Sequence, residues 1–166
     1  MQTRSDFPHP VERTDHLWIT APDGCRLAAR LWRPRTAAPV PAVLEAVPYR
    51  KGDGTAVGDE SQNAYLAGHG FACLRLDLRG SGDSDGLLDD EYTEREQDDV
   101  EFVIGWLAEQ SWCNGNVGMT GVSWGGFACV QAAARTPRPL KAIAPLHFTD
   151  DRYADDVHYR GGCVLG

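Results

Sequence analysis

The stretch from Asn116 to Arg135, NVGMTGVSWGGFACVQAAAR, constrains the fold of this chain more than any other. Val117 to Val122 is a short apolar run of a length suited to a buried strand. Gly121-Val122-Ser123-Trp124-Gly125 overlaps its end, and Gly126 to Arg135 reads as an alanine-rich helix. A strand that passes through a G-x-S-x-G turn into a helix sets the serine at the apex of a sharp corner. The corner forces the serine into a strained backbone conformation. Glycines two before and two after it let strand and helix backbones approach without clashing Cβ atoms. The strain lifts the hydroxyl clear of the sheet, and the Trp124 amide N–H then faces the place where an oxyanion would form. A G-x-S-x-G string alone reads equally as an ordinary turn; its position between a strand and a helix makes Ser123 a candidate nucleophile.

The remaining segments supply a sheet around that corner. Residues 1–13 are polar, with Pro8 and Pro10, and read as a loose N-terminal arm. His16–Thr20 and Arg26–Trp32 are strand-like runs joined by Ala21-Pro22-Asp23-Gly24, a turn, so they form an antiparallel hairpin. Pro41–Val47 is the next apolar strand. Gly52–Gly58 reads as an exposed glycine-rich loop, Ser61–Ala67 as a short helix, and Phe71–Leu78 as a strand followed by a loop over 79–86. Thr93–Gln110 is a helix: Thr93 and Glu96 form a capping box, and Val100, Val103, Ile104 and Leu107 make one buried stripe. Asn114–Asn116 reads as a turn into the serine strand. Leu140–Leu146 reads as another strand, whose pairing is expected to end at Pro145. Strands that alternate with helices after a hairpin imply an α/β chain, with a mostly parallel, doubly wound sheet carrying helices on both faces. The 166 residues are expected to form one domain.

Charge and composition narrow the function. A net charge of −8 argues against nucleic acid or an anionic membrane as partner and suits a neutral or cationic small molecule. No apolar run approaches a spanning length, and the N-terminus has no apolar signal region. Cys25, Cys73, Cys113, Cys129 and Cys163 show neither a C-x-x-C pair nor ligand spacing with histidine. They read as reduced thiols of a cytoplasmic protein that needs no metal or other cofactor.

Four motifs in order carry a family resemblance: Pro48-Tyr49-Arg50-Lys51, Leu76 to Ser84 (LDLRGSGDS), Trp112 to Gly118 (WCNGNVG) and Gly121 to Gly126 (GVSWGG). Over residues 15–166 the chain resembles the X-Pro dipeptidyl-peptidases, cocaine esterase and α-amino-acid ester hydrolases. The resemblance implies an α/β-hydrolase fold and a small-molecule ester or amide substrate. It makes Ser123 the nucleophile, with the oxyanion held by the Trp124 backbone N–H and the Tyr49 hydroxyl. Read from the residues alone, Tyr49 equally packs against the sheet edge. The segment 147–166 resembles the connection leading into that family's helical cap. Asp155 and Asp156 fall near where the amino-acid ester hydrolases place a carboxylate for a substrate ammonium; by composition they are solvated surface acids.

A nucleophilic serine needs a base and an orienting carboxylate, which in this fold follow it as acid and then histidine. Asp150 and His158 have that order but lie in one segment, whereas the two groups normally follow separate strands. His9, His16, His69 and His147 read as surface or turn residues. The expectation is therefore the N-terminal part of an α/β-hydrolase, truncated before the cap and the last strands and inactive or nearly so by itself. The competing expectation is a non-catalytic module that keeps the serine corner.

Overall fold

The computed structural model describes residues 6–165. The chain opens with the antiparallel pair β1 (Val11–Thr20) and β2 (Arg26–Pro34). It continues through β3 (Val40–Val47), α1 (Ala56–Gly68), β4 (Ala72–Asp77), α2 (Glu94–Ala108), β5 (Cys113–Val122), α3 (Trp124–Arg135) and β6 (Leu140–Leu146). The strand order is β1-β2-β4-β3-β5-β6, with β4, β3, β5 and β6 mutually parallel and β2 antiparallel to β4. A short ribbon, β7 (Tyr159–Arg160) and β8 (Cys163–Val164), follows.

Alternation along the strands decides which helix lies on which face. Ala42, Leu44 and Ala46 of β3 and Leu74 and Leu76 of β4 join Val100, Val103, Ile104 and Leu107 of α2 and Ala128, Cys129 and Ala132 of α3 in the main core. Trp32 and Cys73 form a second cluster with Ala67 of α1, against which Val43, Ala64 and Leu66 pack. Both faces thus carry helices, as the alternation of strands and helices implies. The Thr93 hydroxyl caps α2 by accepting the Glu96 N–H. Glu96 returns a carboxylate oxygen to the Tyr92 N–H, one residue earlier than in a standard capping box.

Several elements depart from the sequence reading, each for a long-range reason. Of the expected arm, residues 1–5 lie outside the described residues, and Val11–Arg13 belong to β1, where Val11 pairs with Pro34 because its backbone completes the hairpin. Within residues 6–10, Phe7 packs against Tyr65 and His69, and the His9 N–H bonds the Gly68 carbonyl. Helix α1 starts at Ala56, inside the expected loop. The buried Arg75 guanidinium bonds Asp59 and the Thr55 hydroxyl at 3.0 Å each, which fixes the helix start. Strand β5 takes in Asn114–Asn116, with a register irregularity opposite Val40–Ala42 and Gly115 at φ 83°. Pairing runs on past Pro145, which lies opposite Gly121. Among the described residues β6 pairs with β5 alone, so it makes ladder bonds on one side and a residue without an N–H is tolerated there.

Candidate active site

The order of the strands locates the site. From β3 the chain moves to β4 on one side, then crosses to β5 on the other. The carboxyl ends of β3 and β5 therefore flank a topological switch point, where open α/β sheets form a crevice. Tyr49 lies just past β3, and Ser123 just past β5.

Ser123 sits between β5 and α3 at φ 56°, ψ −113°, a conformation costly for any residue with a Cβ. Its neighbours over-determine that geometry. The Ser123 N–H bonds the Leu146 carbonyl and its carbonyl accepts the Phe127 N–H, at 2.9 and 3.0 Å. A Cβ on Gly121 would lie 2.5 Å from the Gly125 carbonyl carbon, so the strand and helix meet backbone to backbone. The Trp124 N–H, the first amide of α3, donates to the Tyr49 hydroxyl oxygen at 3.2 Å. Two polar groups from opposite sides of the switch point thus converge beside the serine.

Aromatic packing fixes this corner. The Trp124 indole N–H donates to Glu96 at 2.7 Å, and Tyr92 lies 4.9 Å from the Trp124 ring and 5.1 Å from Phe127. Glu96 is buried at 5% exposure. Burial pushes its carboxyl above the ordinary carboxylate value, and the Trp124 and Tyr92 N–H donors pull the other way. Sequence reasoning saw Glu96 only as a cap. Its place four residues before Val100, on the buried stripe, is the signal that it points inward.

Ser123 opens on a cleft of ≈ 400 Å³, lined also by Val122, Phe127, His147, Asp155, Asp156 and Val157. His147, read from sequence as a turn residue, is an exposed residue at φ 53° directly after β6, and it shares the cleft with the serine. The two acids differ. Asp155 is exposed. Asp156 accepts from the Arg152 guanidinium at 2.9 Å and from the His158 N–H at 2.6 Å. Burial raises its carboxyl, but those donors outweigh it and leave Asp156 below the usual carboxylate range. Arg152 in turn stacks 4.6 Å from the Tyr92 ring and 5.0 Å from Phe127, which docks the acidic segment on the start of α3. Asp150 and His158 do not line the cleft.

Against this geometry the comparisons with known proteins are specific. The profile of the X-Pro dipeptidyl-peptidase (S15) family matches residues 23–166. The chain belongs to that family. Among similar proteins, cocaine esterase from Rhodococcus sp. (strain MB1 Bresler) is 39% identical over 154 residues, which is 90% of this chain and 26% of the esterase. A CocE/NonD family hydrolase from Staphylococcus aureus superposes with a TM-score of 0.71 at 27% identity, over 79% of this chain and 26% of that one. An α-amino acid ester hydrolase gives 0.70 at 24% identity, over 96% and 29%. The fold is that of the α/β-hydrolases, and the chain spans about a quarter of the length of these relatives. Among the described residues, no helix is long and apolar enough to cross a membrane.

Proposed function

We propose that this S15-family chain carries the nucleophile and oxyanion hole of a serine hydrolase acting on small esters or amides. One observation carries the reading: Ser123 is held at φ 56° between a strand and a helix, with the Trp124 N–H and the Tyr49 hydroxyl 3.2 Å apart beside it. In the reaction, Ser123 Oγ attacks the substrate carbonyl carbon and gives its proton to a base. The carbonyl π electrons move to oxygen, which receives hydrogen bonds from Trp124 N–H and Tyr49 O–H. Collapse of the tetrahedral intermediate expels the alcohol or amine, which takes that proton back from the base, and water, deprotonated by the same base, hydrolyses the acyl-enzyme in the same way.

In the ground state the Trp124 amide donates to the Tyr49 oxygen, which leaves the phenolic hydrogen able to rotate toward an incoming oxyanion. Donors preorganised in this way are worth ~3–4 kcal/mol of transition-state stabilisation each. Asp155, exposed on the cleft wall, is the carboxylate that would meet a substrate ammonium, as the sequence resemblance implies, whereas Asp156 is engaged by Arg152.

The test is labelling by a fluorophosphonate of the protein in the length its source cell makes. The expected result is one modified serine, with labelling abolished in Ser123→Ala. Absence of labelling in the parent, or its persistence in the variant, would overturn the reading and leave a non-catalytic module.

A further inference from the structure

A lysine is buried two residues after Tyr49, and every polar group it carries is tied down. Lys51 is 2% exposed. Its N–H donates to Asp77 Oδ1 at 2.6 Å, its carbonyl accepts from Arg30 Nη1 at 2.9 Å, and its ammonium lies between Asp83 Oδ2 and Asp77 Oδ2, the latter at 3.6 Å. Asp77 ends β4 at 1% exposure, and its second oxygen also takes the Asp83 N–H at 3.1 Å. The chain closes tightly over that carboxylate, since a Cβ on Gly82 would lie 2.2 Å from Asp77 Oδ2. One buried carboxylate thus joins the loop after β3 to the loop after β4.

Between Tyr49 and Lys51 stands Arg50 at φ 61°. A left-handed non-glycine residue persists only where its neighbours over-determine it. Here Asp77 Oδ1 fixes the following amide, and the Lys51 ammonium, 3.6 Å from Asp77 Oδ2, holds that carboxylate in place. Tyr49 itself is 37% exposed, too open for packing alone to hold its ring. A buried ammonium between carboxylates is weak evidence for stability, because desolvation offsets its attraction. Its evident effect is geometric.

We propose that the Lys51–Asp77 pair is a positioning device for the oxyanion hole, holding the strained Tyr49–Lys51 backbone so that the Tyr49 hydroxyl stays beside the Trp124 N–H. The inference rests on the reading of Tyr49 as an oxyanion donor and adds the residues that place it. Neither Lys51 nor Asp77 touches substrate; both act through Tyr49.

The experiment combines phosphonate labelling with amide hydrogen exchange on the source-length protein. In Lys51→Met, the second-order labelling rate of folded protein is expected to fall about 10–100-fold, as when an outer group that orients an active-site residue is removed. Tyr49→Phe should fall as far or further, and Lys51→Met added to it should cost nothing more. In parallel, the Trp124 amide should exchange faster in Lys51→Met than in the parent, while amides in the middle of β4 keep their protection. A full, additive loss in the double variant, or unchanged Trp124 exchange, would overturn the positioning role and leave a structural ion pair. If the parent fails to label, the hydrolase reading falls, and the Trp124 exchange still decides whether Lys51 holds Tyr49. Should Lys51→Met not fold, the parent alone decides: a Lys51 amide that exchanges as fast as an open loop refutes the tie.

Discussion

Gly121→Ala tests the corner from the steric side. The new Cβ would lie 2.5 Å from the Gly125 carbonyl carbon and 2.6 Å from its Cα and oxygen, all of them backbone atoms. Ordinary contact begins near 3.4 Å, so strand and helix must part by roughly 0.9 Å. Forcing a methyl into a packed site costs about 1–3 kcal/mol. At ~2–4 °C per kcal/mol for a domain of this size, Tm should fall by about 2–12 °C. The separation falls directly at Ser123 and the Trp124 amide, where a misplacement of about 1 Å is worth about 100-fold in rate. Gly118→Ala is the matched control. It sits in the same strand, and its Cβ would meet the Ala142 carbonyl at 3.6 Å, an ordinary contact. Loss of unfolded-chain entropy should stabilise it by about 0.4–1 kcal/mol. The assay is fluorophosphonate labelling of folded protein beside calorimetric Tm. Gly121→Ala with parental Tm and a labelling rate within about threefold of the parent would refute the backbone-contact argument.

Two further outcomes follow from single carboxylates, Asp155 and Asp83. Asp155→Asn should raise KM for amino-acid esters about tenfold, the scale of one charge-assisted hydrogen bond, and leave KM for simple acyl esters unchanged; equal shifts for both would remove Asp155 from ammonium recognition. Asp83 is held below its ordinary value of 3.8, first by the hydrogen bond from Lys51 and then by its charge. A lowered carboxylate adds stability above its unfolded value and loses it as pH falls through the folded one. Urea midpoints should therefore drop below about pH 3.8, and Lys51→Met should show a shallower drop; identical acid profiles would refute the linkage.

Local patterns made the scaffold legible. The serine corner, the stripe Val100–Val103–Ile104–Leu107 and the opening hairpin each show their burial in a few neighbouring residues. The G-x-S-x-G turn marked Ser123 and Trp124 as candidates, whereas Tyr49 became one only through the family resemblance of the Pro48–Lys51 motif, because its own residues fit packing at the sheet edge equally well. Charges that fold inward were not legible, because nothing beside them in the chain says so. Arg75 and Asp77 lie in the strand run FACLRLDL, and nothing in that run marks either as buried. Both are buried because β4 lies between β2 and β3, and Asp59 and Lys51 reach them from other segments. Pro145 misled for a related reason: whether a proline ends pairing depends on whether its strand is central or at the edge, which is a property of the whole sheet.

Tyr49 and Trp124, the two groups proposed to hold the oxyanion, stand 75 residues apart in sequence, and the parallel pairing of β3 with β5 joins them. Between them lie α1, β4 and α2. Closing a loop of that length carries an entropic cost that only the finished β3–β5 contact offsets, so the pairing belongs to the slow, non-local stage of folding. The serine corner is built from adjacent residues and can form early, but it acquires its Tyr49 partner only when the sheet has closed. A folding intermediate with α3 formed and β3 unpaired would therefore carry the proposed nucleophile without the proposed Tyr49 donor, and recovery of labelling during refolding would time the closure of the sheet.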